Sequence, residues 1–363
     1  MKRNPPLRVL LVFLFTLSVP LLFNPLNADE AQLVRVRKGD TVSYLSFKIY
    51  GMYDQRIVEL LRQENPKLKD INLIYAGQQL RFPKPTAMKK SLSAKAVKPI
   101  EPSPPPSPKE TPPAKEEPTK EEPLPGMQVR ANKGVITYLD GQVQVKKSGN
   151  PQWSQARPNQ ILYEKDQIKV PAKARAELIL DSQSVMRLSE NTLLTLNKLE
   201  EEPASQKETT RMGLSLGKLW TRASKLFNPA SRLEVRTPTA IAGVQGTIYQ
   251  VSVIDERSTK IQVFEGAVNV YNPFPASKPS PAGRTTPFGA PREVKGPEEV
   301  PGPTAVSREE WTQIVLRQSQ QITVTDRDIS RPISFDIKQE RQSEWIRWNE
   351  ERDLDFQPPE RPR

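Results

Sequence analysis

Hydrophobic residues are spaced differently in two regions of this chain, and the spacing predicts two kinds of fold. Between residues 33 and 84, Val42, Leu45 and Ile49 fall at i, i+3 and i+7, on one face of a helix. Between residues 127 and 271, apolar and polar residues alternate in short runs, as they do in half-buried strands. We therefore predict a multidomain protein, in which a small α+β module precedes an all-β domain of sandwich or jelly-roll-like type.

Capping and turn residues mark the ends of the elements in the first module. Val34 and Val36 alternate with arginines, as in a half-buried first strand. Asp40 or Thr41 is placed to accept the free N–H groups at the start of the first helix, and Asp54 is placed to do so for the second. The predicted order is strand, helix, helix, strand (βααβ). Its other boundaries are the turn at Gly39, the helix stop at Asn65-Pro66 and the closing strand at Leu80-Arg81-Phe82.

This order, with its Gly39-Asp40-Thr41 and Gly77-Gln78 turns, resembles a LysM domain, a module that binds chains of N-acetylglucosamine, chiefly in peptidoglycan. The resemblance implies a shallow groove between the loop after the first strand and the loop before the second. There, backbone groups bond the acetamide and apolar side chains cover its methyl group. The implied peptidoglycan-binding residues are Gly39, Asp40, Thr41 and Val42 on one wall, and Asn65, Pro66, Leu73, Ile74, Tyr75 and Ala76 on the other. The sequence departs from the family at Ser43, where an aromatic residue is common, and at Ala76, where proline is usual.

Short strand patterns recur through the second region. Residues 135–145 predict two strands around an Asp140-Gly141 turn. Further strand patterns lie at residues 176–181, 184–188, 192–196, 248–253, 260–264 and 267–270. Many short strands at close spacing are typical of an all-β domain.

A second signature lies within this β-region. Thr237-Pro238 precedes a Gly243-Val244-Gln245-Gly246-Thr247 run, and Glu265-Gly266 follows between two strand patterns. No third glycine or lysine opens a helix after the run, so it is not a phosphate loop. These residues resemble a FecR domain covering roughly residues 134–270, with Gln245 in place of the usual arginine. We expect structural roles for Thr237, Pro238, Gly243, Val244, Gly246, Thr247, Glu265 and Gly266, with residues 237–247 acting as a hinge rather than a catalytic loop.

Segments rich in proline separate these regions. The Pro/Lys/Glu-rich residues 85–126 predict a disordered linker, and a ligand for a proline-recognition domain is the alternative. Residues 272–304 predict a Pro/Gly-rich loop, and residues 305–330 a helix and a strand that complete the β-domain. The tail at 331–363 carries Trp345, Ile346 and Trp348 among charges, which indicates either a short docking helix or a frayed terminus.

The N-terminus has the pattern of an export signal. Lys2, Arg3 and Arg8 precede an apolar run that is short and interrupted by Pro20, so residues 1–28 predict a signal peptide. We expect an exported protein of the periplasm or cell envelope that associates with the wall. A segment that stays uncleaved is the alternative, and only then would the protein contact the membrane.

The composition excludes common catalytic designs. The chain has no Cys and no His, so Ser-His-Asp and Cys-His mechanisms and imidazole metal ligation are excluded, and we expect no metal or cofactor. Its net charge of +12 is dispersed along the chain, so we expect no nucleic-acid partner. The same charge would suit either ordinary solubility or weak attraction to anionic wall or lipid surfaces.

We therefore expect a non-enzymatic protein that binds peptidoglycan through the LysM-like module and presents the β-domain to an envelope protein or a glycan. One alternative is a component of a periplasmic FecR-type system that senses iron supply. Iron-regulating relatives bind a sigma factor through a helical segment whose pattern we do not find, so we do not expect direct sigma-factor regulation. A second alternative is a wall hydrolase that uses Glu164 and Asp166, or residues 200–202, as paired carboxylates, although a charged surface loop explains these residues better.

Overall fold

The computed structural model describes residues 31–85, 130–131, 133–202, 204–225, 228–244, 246–273 and 313–359. The predicted signal peptide, the linker from residue 86 onward and the predicted loop from residue 274 onward lie outside these ranges. Within them, no helix combines the length and the apolar character needed to cross a membrane.

The N-terminal module has the predicted βααβ order. Its elements are β1 (Ala31–Arg35), α1 (Val42–Tyr50), α2 (Gln55–Glu64) and β2 (Gln79–Pro83), and the two strands pair antiparallel. The Thr41 hydroxyl caps α1 by accepting from the Tyr44 N–H at 3.1 Å, and Asp54 caps α2 by accepting from the Ile57 N–H at 3.0 Å. Helix α1 ends at Gly51, which adopts the left-handed conformation (φ 72°) that glycine tolerates best.

Helix α1 is buried over more of its surface than the sequence pattern predicts. Ser43, Tyr44, Ser46 and Phe47 are buried in addition to Val42 and Leu45, whereas Ile49 is only half-buried. The reason is that α1 is covered on two sides. One side packs on its own module, and the other packs on the β-domain through strand β4 (Gly134–Asp140).

The rest of the described chain is a β-domain built from two sheets. One sheet contains β3 (Arg130–Ala131), β5 (Gln144–Lys146), β6 (Trp153–Gln155), β8 (Gln167–Val170), β11 (Thr192–Glu202), β13 (Arg232–Arg236), β14 (Ile241–Val244), β17 (Ala267–Tyr271) and β18 (Gln313–Arg317). The other contains β4, β7 (Ile161–Leu162), β9 (Arg175–Leu180), β10 (Val185–Leu188), β15 (Ile248–Asp255), β16 (Ser258–Glu265), β19 (Gln320–Thr325) and β20 (Ile333–Ser334). Strand β12 (Lys207–Arg222) belongs to both. The sheets close into a barrel whose apolar side chains form one core, which confirms the predicted all-β class.

Two helices follow the last strand. Helix α3 (Ile337–Glu340) is a single turn, and α4 (Glu344–Asp355) is an amphipathic helix of three turns. Trp345 and Ile346 of α4 are buried against Trp220 and Phe264 of the barrel. Helix α4 therefore packs on the β-domain.

Strand β12 passes from one sheet to the other at Gly217. The strand pairs with β11 through Leu216 and then with β15 from Gly217 onward. Gly217 has φ 93°, and a Cβ placed on it would lie 2.6 Å from the Asn191 carbonyl oxygen. Only glycine fits this crossing. Any other residue would be strained at this positive φ, and its Cβ would clash with the Asn191 backbone. Strand β12 was not among the predicted strands.

Two features differ from the sequence predictions. Strands β4 and β5 flank Asp140-Gly141 but do not pair, since β4 pairs with β9 while β5 pairs with β8. The Asp-Gly turn instead carries the chain between sheets, and Gly141 packs so tightly that a Cβ would lie 2.8 Å from that of Ala174. In the described part of 305–330, residues 313–330 contain strands β18 and β19, which extend the two sheets, and not the expected helix.

The crossing at Gly217 gives a stability prediction. Gly217→Ala should lower the free energy of unfolding by about 2–4 kcal/mol, because left-handed strain adds to a steric clash. Gly149→Ala is the matched control, since Gly149 also has a positive φ (76°) but has open space around it. It should cost only about 1–2 kcal/mol. Chemical denaturation measures both, and equal losses would contradict a clash at Gly217.

Candidate functional site

The first wall of the predicted sugar groove faces the β-domain. Thr41 and Val42 are buried, and the Thr41 hydroxyl donates to the Thr137 carbonyl oxygen of β4 at 2.7 Å. Gly39 lies against the ring of Tyr138, which a Cβ on Gly39 would approach to 3.0 Å. Asp40 instead closes its own loop by accepting from the Arg37 N–H at 2.8 Å. This wall is therefore part of a contact between the two domains.

The second wall contains a structural residue and an exposed loop. Asn65 donates to the Leu61 and Arg81 carbonyl oxygens at 2.7 and 2.8 Å and accepts from the Arg81 N–H at 2.8 Å. Its side chain therefore joins α2 to β2 and is not free for a ligand. Leu73 and Tyr75, by contrast, are 54% and 62% exposed. Among the other predicted residues of this wall, Pro66 and Ala76 are exposed and Ile74 is half-buried.

One side chain of the β-domain joins the two walls. Asn159 lies in the turn between β6 and β7, and its amide oxygen accepts from the Ser43 N–H at 2.8 Å. Its amide nitrogen donates to the Ile71 carbonyl oxygen at 3.1 Å and to the Asn72 side-chain oxygen at 3.0 Å. Asn159 is 7% exposed and adopts a left-handed backbone (φ 63°), which asparagine tolerates better than most residues. A single carboxamide thus links the first turn of α1 to the loop before β2.

Two cavities border these loops. One of about 650 Å³ lies between β1, the second half of α1 and Ala76-Gly77, and it includes Asp40 and three basic side chains, Arg35, Arg37 and Lys48. Burial raises the pKa of Asp40 above its usual range. The other, of about 420 Å³, lies where the two domains meet and is polar. Its lining residues are Asn72, Ser154, Gln155, Arg157, Pro158, Asn159 and Gln160.

An apolar seam holds the module on the β-domain. Tyr44 and Phe47 of α1 share one buried cluster with Val135 and Ile179 of the barrel and with Phe356, which follows α4. Phe356 is fully buried, and its ring centroid lies 5.8 Å from that of Tyr44. The C-terminus therefore contributes a core side chain to the N-terminal module.

A buried ionic cluster lies beside this seam. Glu177 of β9 accepts from Arg187 at 2.6 Å and from Arg352 of α4 at 2.7 and 2.9 Å, and it is fully buried. Thr137 also donates its hydroxyl to Glu177 at 2.8 Å, while its carbonyl accepts from Thr41. Thr137 thus connects the capping residue of α1 to the buried carboxylate through two hydrogen bonds.

The cations of this cluster have further partners. Arg187 also donates to Asp353 of α4 at 2.8 Å, and Asp353 accepts from the Trp220 ring N–H at 2.9 Å. The Arg352 guanidinium lies 4.7 and 4.8 Å from the ring centroids of Tyr44 and Tyr138, one ring from each domain. At these distances a cation is attracted to the ring faces. Arg352 therefore ties α4 to both domains.

The charge state of the cluster follows from its geometry. Burial by itself would raise the pKa of Glu177, but the Arg352 and Arg187 guanidiniums outweigh burial and lower this pKa to about 2. At the end of α4, Asp355 accepts from Tyr44 and Lys48, both at 2.9 Å, and from Arg37 at 3.1 Å. Burial opposes ionisation of Asp355 too, but these hydrogen bonds and charges keep its pKa below the usual range.

The second sequence signature forms a hydrogen-bonded corner of the barrel. The Thr239 hydroxyl donates to Thr259 at 2.8 Å, and the Thr259 hydroxyl donates to Thr237 at 2.9 Å. Thr247 donates to the Ala267 carbonyl oxygen at 2.9 Å, and Gly246 has a positive φ (64°). The remaining signature positions are Pro238 at the turn, Gly243 and Val244 on β14, and Glu265 and Gly266 at the β16–β17 turn.

The candidate catalytic carboxylates have structural partners. Asp166 accepts from the Lys147 ammonium at 2.5 Å and from the Ser148 and Tyr163 N–H groups, which closes a turn. Glu164 pairs with Lys165 at 3.5 Å. On β11, Glu200 and Glu202 each pair with a lysine. In the described part of the chain, no three Asp or Glu residues come together as a metal site would require.

Comparison with known families agrees with both sequence signatures. The model of the LysM domain matches residues 34–83, and the model of FecR protein matches residues 166–269. The chain combines a LysM domain with a FecR domain. These are binding and signalling domains, and no enzyme family is found.

Comparison with individual proteins and solved structures does not extend these two domain assignments. No curated protein sequence matches the chain. Two crystal structures of a candidate anti-sigma factor from Parabacteroides distasonis ATCC 8503 are similar at 15% and 17% identity, each with a TM-score of 0.32. Each match covers 48% of this chain and 62% of the other, less than two thirds of its length. A TM-score of 0.32 is too low to establish a shared fold.

Sequence reasoning missed the residues that join the domains. Asn159 follows Pro158 in a polar turn, and Glu177 alternates with apolar residues as a surface residue of a strand would. Of these residues, only Phe356 could have been suspected from the sequence, because it is an apolar residue in a charged tail. Asn159 bonds Asn72 and Ser43, and Glu177 bonds Arg352, at separations of 87, 116 and 175 positions, where local patterns give no information.

The ionic cluster predicts an acid transition. Because the pKa of Glu177 is lowered in the folded state, its ionised form stabilises the fold above about pH 4.5, and this stabilisation is lost as the pH falls towards about 2. The Arg187 and Arg352 guanidiniums lie 5.8 and 5.7 Å from the Trp348 ring centroid, and Trp220 donates to Asp353, so the fluorescence of these two tryptophans reports the transition. Glu177→Gln should be less stable at pH 7 and should lose this step in its stability between pH 4.5 and 2. An unchanged acid profile in the variant would contradict the assignment.

The seam predicts that the domains stay together after the chain is cut. Proteolysis within residues 86–126, where composition predicts a linker, should give two fragments that co-elute in size-exclusion chromatography. Phe356→Ala should reduce stability by about 3–5 kcal/mol and release the smaller fragment, because the seam loses its largest C-terminal contact. Leu354→Ala is the control, since Leu354 is on the same segment but exposed. Separation of the wild-type fragments would refute the docking.

Proposed function

We propose that this protein is a non-enzymatic, exported protein of the cell envelope that binds peptidoglycan through its LysM domain and presents its FecR domain to a protein or a glycan. The observation that carries the proposal is the match of residues 34–83 to the LysM domain, together with the βααβ fold of these residues. LysM and FecR domains are typical of envelope proteins, which supports the location.

The exposed loop before β2 supports a role in binding. Leu73 and Tyr75 present apolar surface that the fold does not need to bury. The Tyr75 N–H donates to the Gln78 side chain at 3.0 Å, which fixes the loop and spares the cost of ordering it on binding. A sugar ring can pack its apolar face on such side chains. A modest affinity for one glycan unit is sufficient where the polymer offers many repeats.

Docking of the two domains gives the FecR domain a defined position. Because the LysM domain shares its core with the barrel and with Phe356, wall binding would hold the barrel in one orientation at the wall surface. Exposed apolar side chains of the barrel, such as Val315 on β18, would then be available to an envelope partner. This arrangement suits a scaffold better than a loosely tethered ligand.

A component of a FecR-type sensing system is the second candidate. The match of residues 166–269 to FecR protein supports it, since this family is associated with signalling. The candidates differ in what a binding-deficient variant does to gene expression. A deletion strain with altered expression of iron-uptake genes, restored by a variant that cannot bind the wall, would favour sensing over scaffolding.

The binding proposal is tested by co-sedimentation with purified, insoluble peptidoglycan. Tyr75→Ala and Leu73→Ala should each weaken binding about threefold to tenfold, as expected for the loss of about 1 kcal/mol of apolar contact. Both side chains are exposed, so neither change should lower the melting temperature appreciably.

Ile254→Ala is the matched control, because Ile254 is 63% exposed but lies on β15 of the barrel. It should sediment like the wild type. The proposal fails if the wild-type protein does not sediment, or if the control loses as much binding as the two loop variants.

A further inference from the structure

An aromatic ring on the outside of the barrel is in contact with two cations. Trp153 of β6 is half-buried, and the ammonium groups of Lys146 on β5 and Lys169 on β8 lie 5.4 and 5.9 Å from its ring centroid. Within the described chain neither ammonium pairs with a carboxylate, whereas the adjacent Lys147 pairs with Asp166. This part of the surface therefore carries positive charge that the fold does not neutralise.

Strand pairing arranges these side chains and three glutamines in two rows across three strands. Trp153, Lys146 and Gln167 are cross-strand partners in one row, and Gln155, Gln144 and Lys169 are partners in the other. Val145 and Ile168, which alternate with them along β5 and β8, are buried in the core, so the two rows lie on the outer side of the sheet. We call these six residues the basic platform. It covers roughly 10 by 7 Å, the spacing of three strands and of alternate residues.

The basic platform is accessible and reaches the LysM domain. Lys169 and Gln155 are exposed, and the helices α1 and α4 pack on the other sheet. Gln155 also lines the cavity of about 420 Å³, together with the exposed Arg157 and with Asn72 of the LysM domain. Asn72 directly precedes Leu73 of the exposed loop. A polymer that lies along this loop can therefore continue onto the basic platform.

The chemistry of the basic platform matches an acidic sugar. Its ammonium groups donate to carboxylates, and its amides both donate and accept, as sugar hydroxyls require. The Trp153 ring offers a flat apolar surface to a sugar ring. A protein partner fits less well, because a stable protein interface buries about 800 Å² on each side, and the basic platform covers roughly a tenth of that. A membrane site requires apolar side chains that insert into lipid, whereas this ring is half-buried beside two cations.

We propose that the basic platform binds a glycan whose sugar units carry carboxylates. Lys146 and Lys169 neutralise the carboxylates, and the Trp153 ring packs on the sugar. The inference rests on the proposed function and deepens it, because it names the class of glycan that the β-domain contacts. Weak binding of each unit is sufficient, since the polymer repeats its charged units and the LysM loop lies at one end of the same surface.

The test uses the full-length protein without its predicted signal peptide and the hexamer of galacturonic acid, with affinity measured by calorimetry. The wild type should bind the hexamer but not its methyl ester, which has the same sugars without their charges. Trp153→Ala should weaken hexamer binding at least about fivefold, and Lys146→Gln and Lys169→Gln about threefold each, as expected for the loss of a ring contact and of one exposed charge contact.

Two further variants are controls. Lys260→Gln should bind like the wild type, because Lys260 is a half-buried strand lysine on β16 of the other sheet. Trp153→Phe keeps an aromatic ring and should bind within about threefold of the wild type. Melting temperatures show whether each variant is folded. If Trp153→Ala does not fold, the two lysine variants and Trp153→Phe decide the outcome.

The outcomes separate this inference from the proposed function. If the hexamer does not bind, or if the lysine variants bind it like the wild type, while peptidoglycan still sediments the protein, the basic platform is wrong and the proposed function stands. If peptidoglycan does not sediment the protein but the hexamer binds through Lys146 and Lys169, wall binding is wrong and the basic platform stands. Tighter binding to polyglutamate, to duplex DNA or to phosphatidylglycerol vesicles than to the hexamer would also overturn the inference.

Discussion

The structure depends on one buried carboxylate. Glu177 is fully enclosed, and an isolated ionised carboxylate would be expelled from such a place by the cost of losing water. It is tolerated because two guanidiniums and a hydroxyl bond both of its oxygens. One guanidinium belongs to the barrel and the other to the C-terminal helix α4. The position of α4 is therefore fixed by charge as well as by packing, and so is the LysM domain that shares Phe356 with it.

Because Glu177 and Phe356 fix the LysM domain on the barrel, the two domains are not independent modules joined by a flexible linker. The composition of residues 85–126 predicts a linker that would let the LysM domain move freely. The described residues instead show a LysM domain whose first helix is covered by β4 and whose core includes barrel side chains. A covalent tether and a docked interface are compatible, because the length of a linker does not decide whether its ends associate. The affinity of the two domains for each other at the seam decides whether they associate.

Local patterns predicted the local parts of the fold. The βααβ order, a cap at Asp40 or Thr41 for α1 and at Asp54 for α2, and the all-β class of the second domain followed from spacing and residue type. The pairing of strands did not follow, and Asp140-Gly141 shows why. An Asp-Gly pair between alternating residues favours a hairpin, but strands in a closed barrel choose partners by the shape of the whole sheet. The same limit applied to the candidate site. The sequence allowed residues of the LysM loops to be named. It did not reveal Asn159, whose side chain bonds Ser43 from 116 positions away.

The contact between Tyr44 and Asp355 spans 311 positions of the chain, nearly the whole distance from the first to the last residue that the structure describes. Contacts of such separation form late, because the ends must meet before any bond compensates for the lost chain entropy. Arg352 lies 175 positions after Glu177, so Glu177 lacks one of its two cations until translation has passed α4. A chain that stops before α4 would keep the barrel sequence and the LysM sequence but could not close the seam. Domain docking thus depends on a helix that is translated after the strands of both domains.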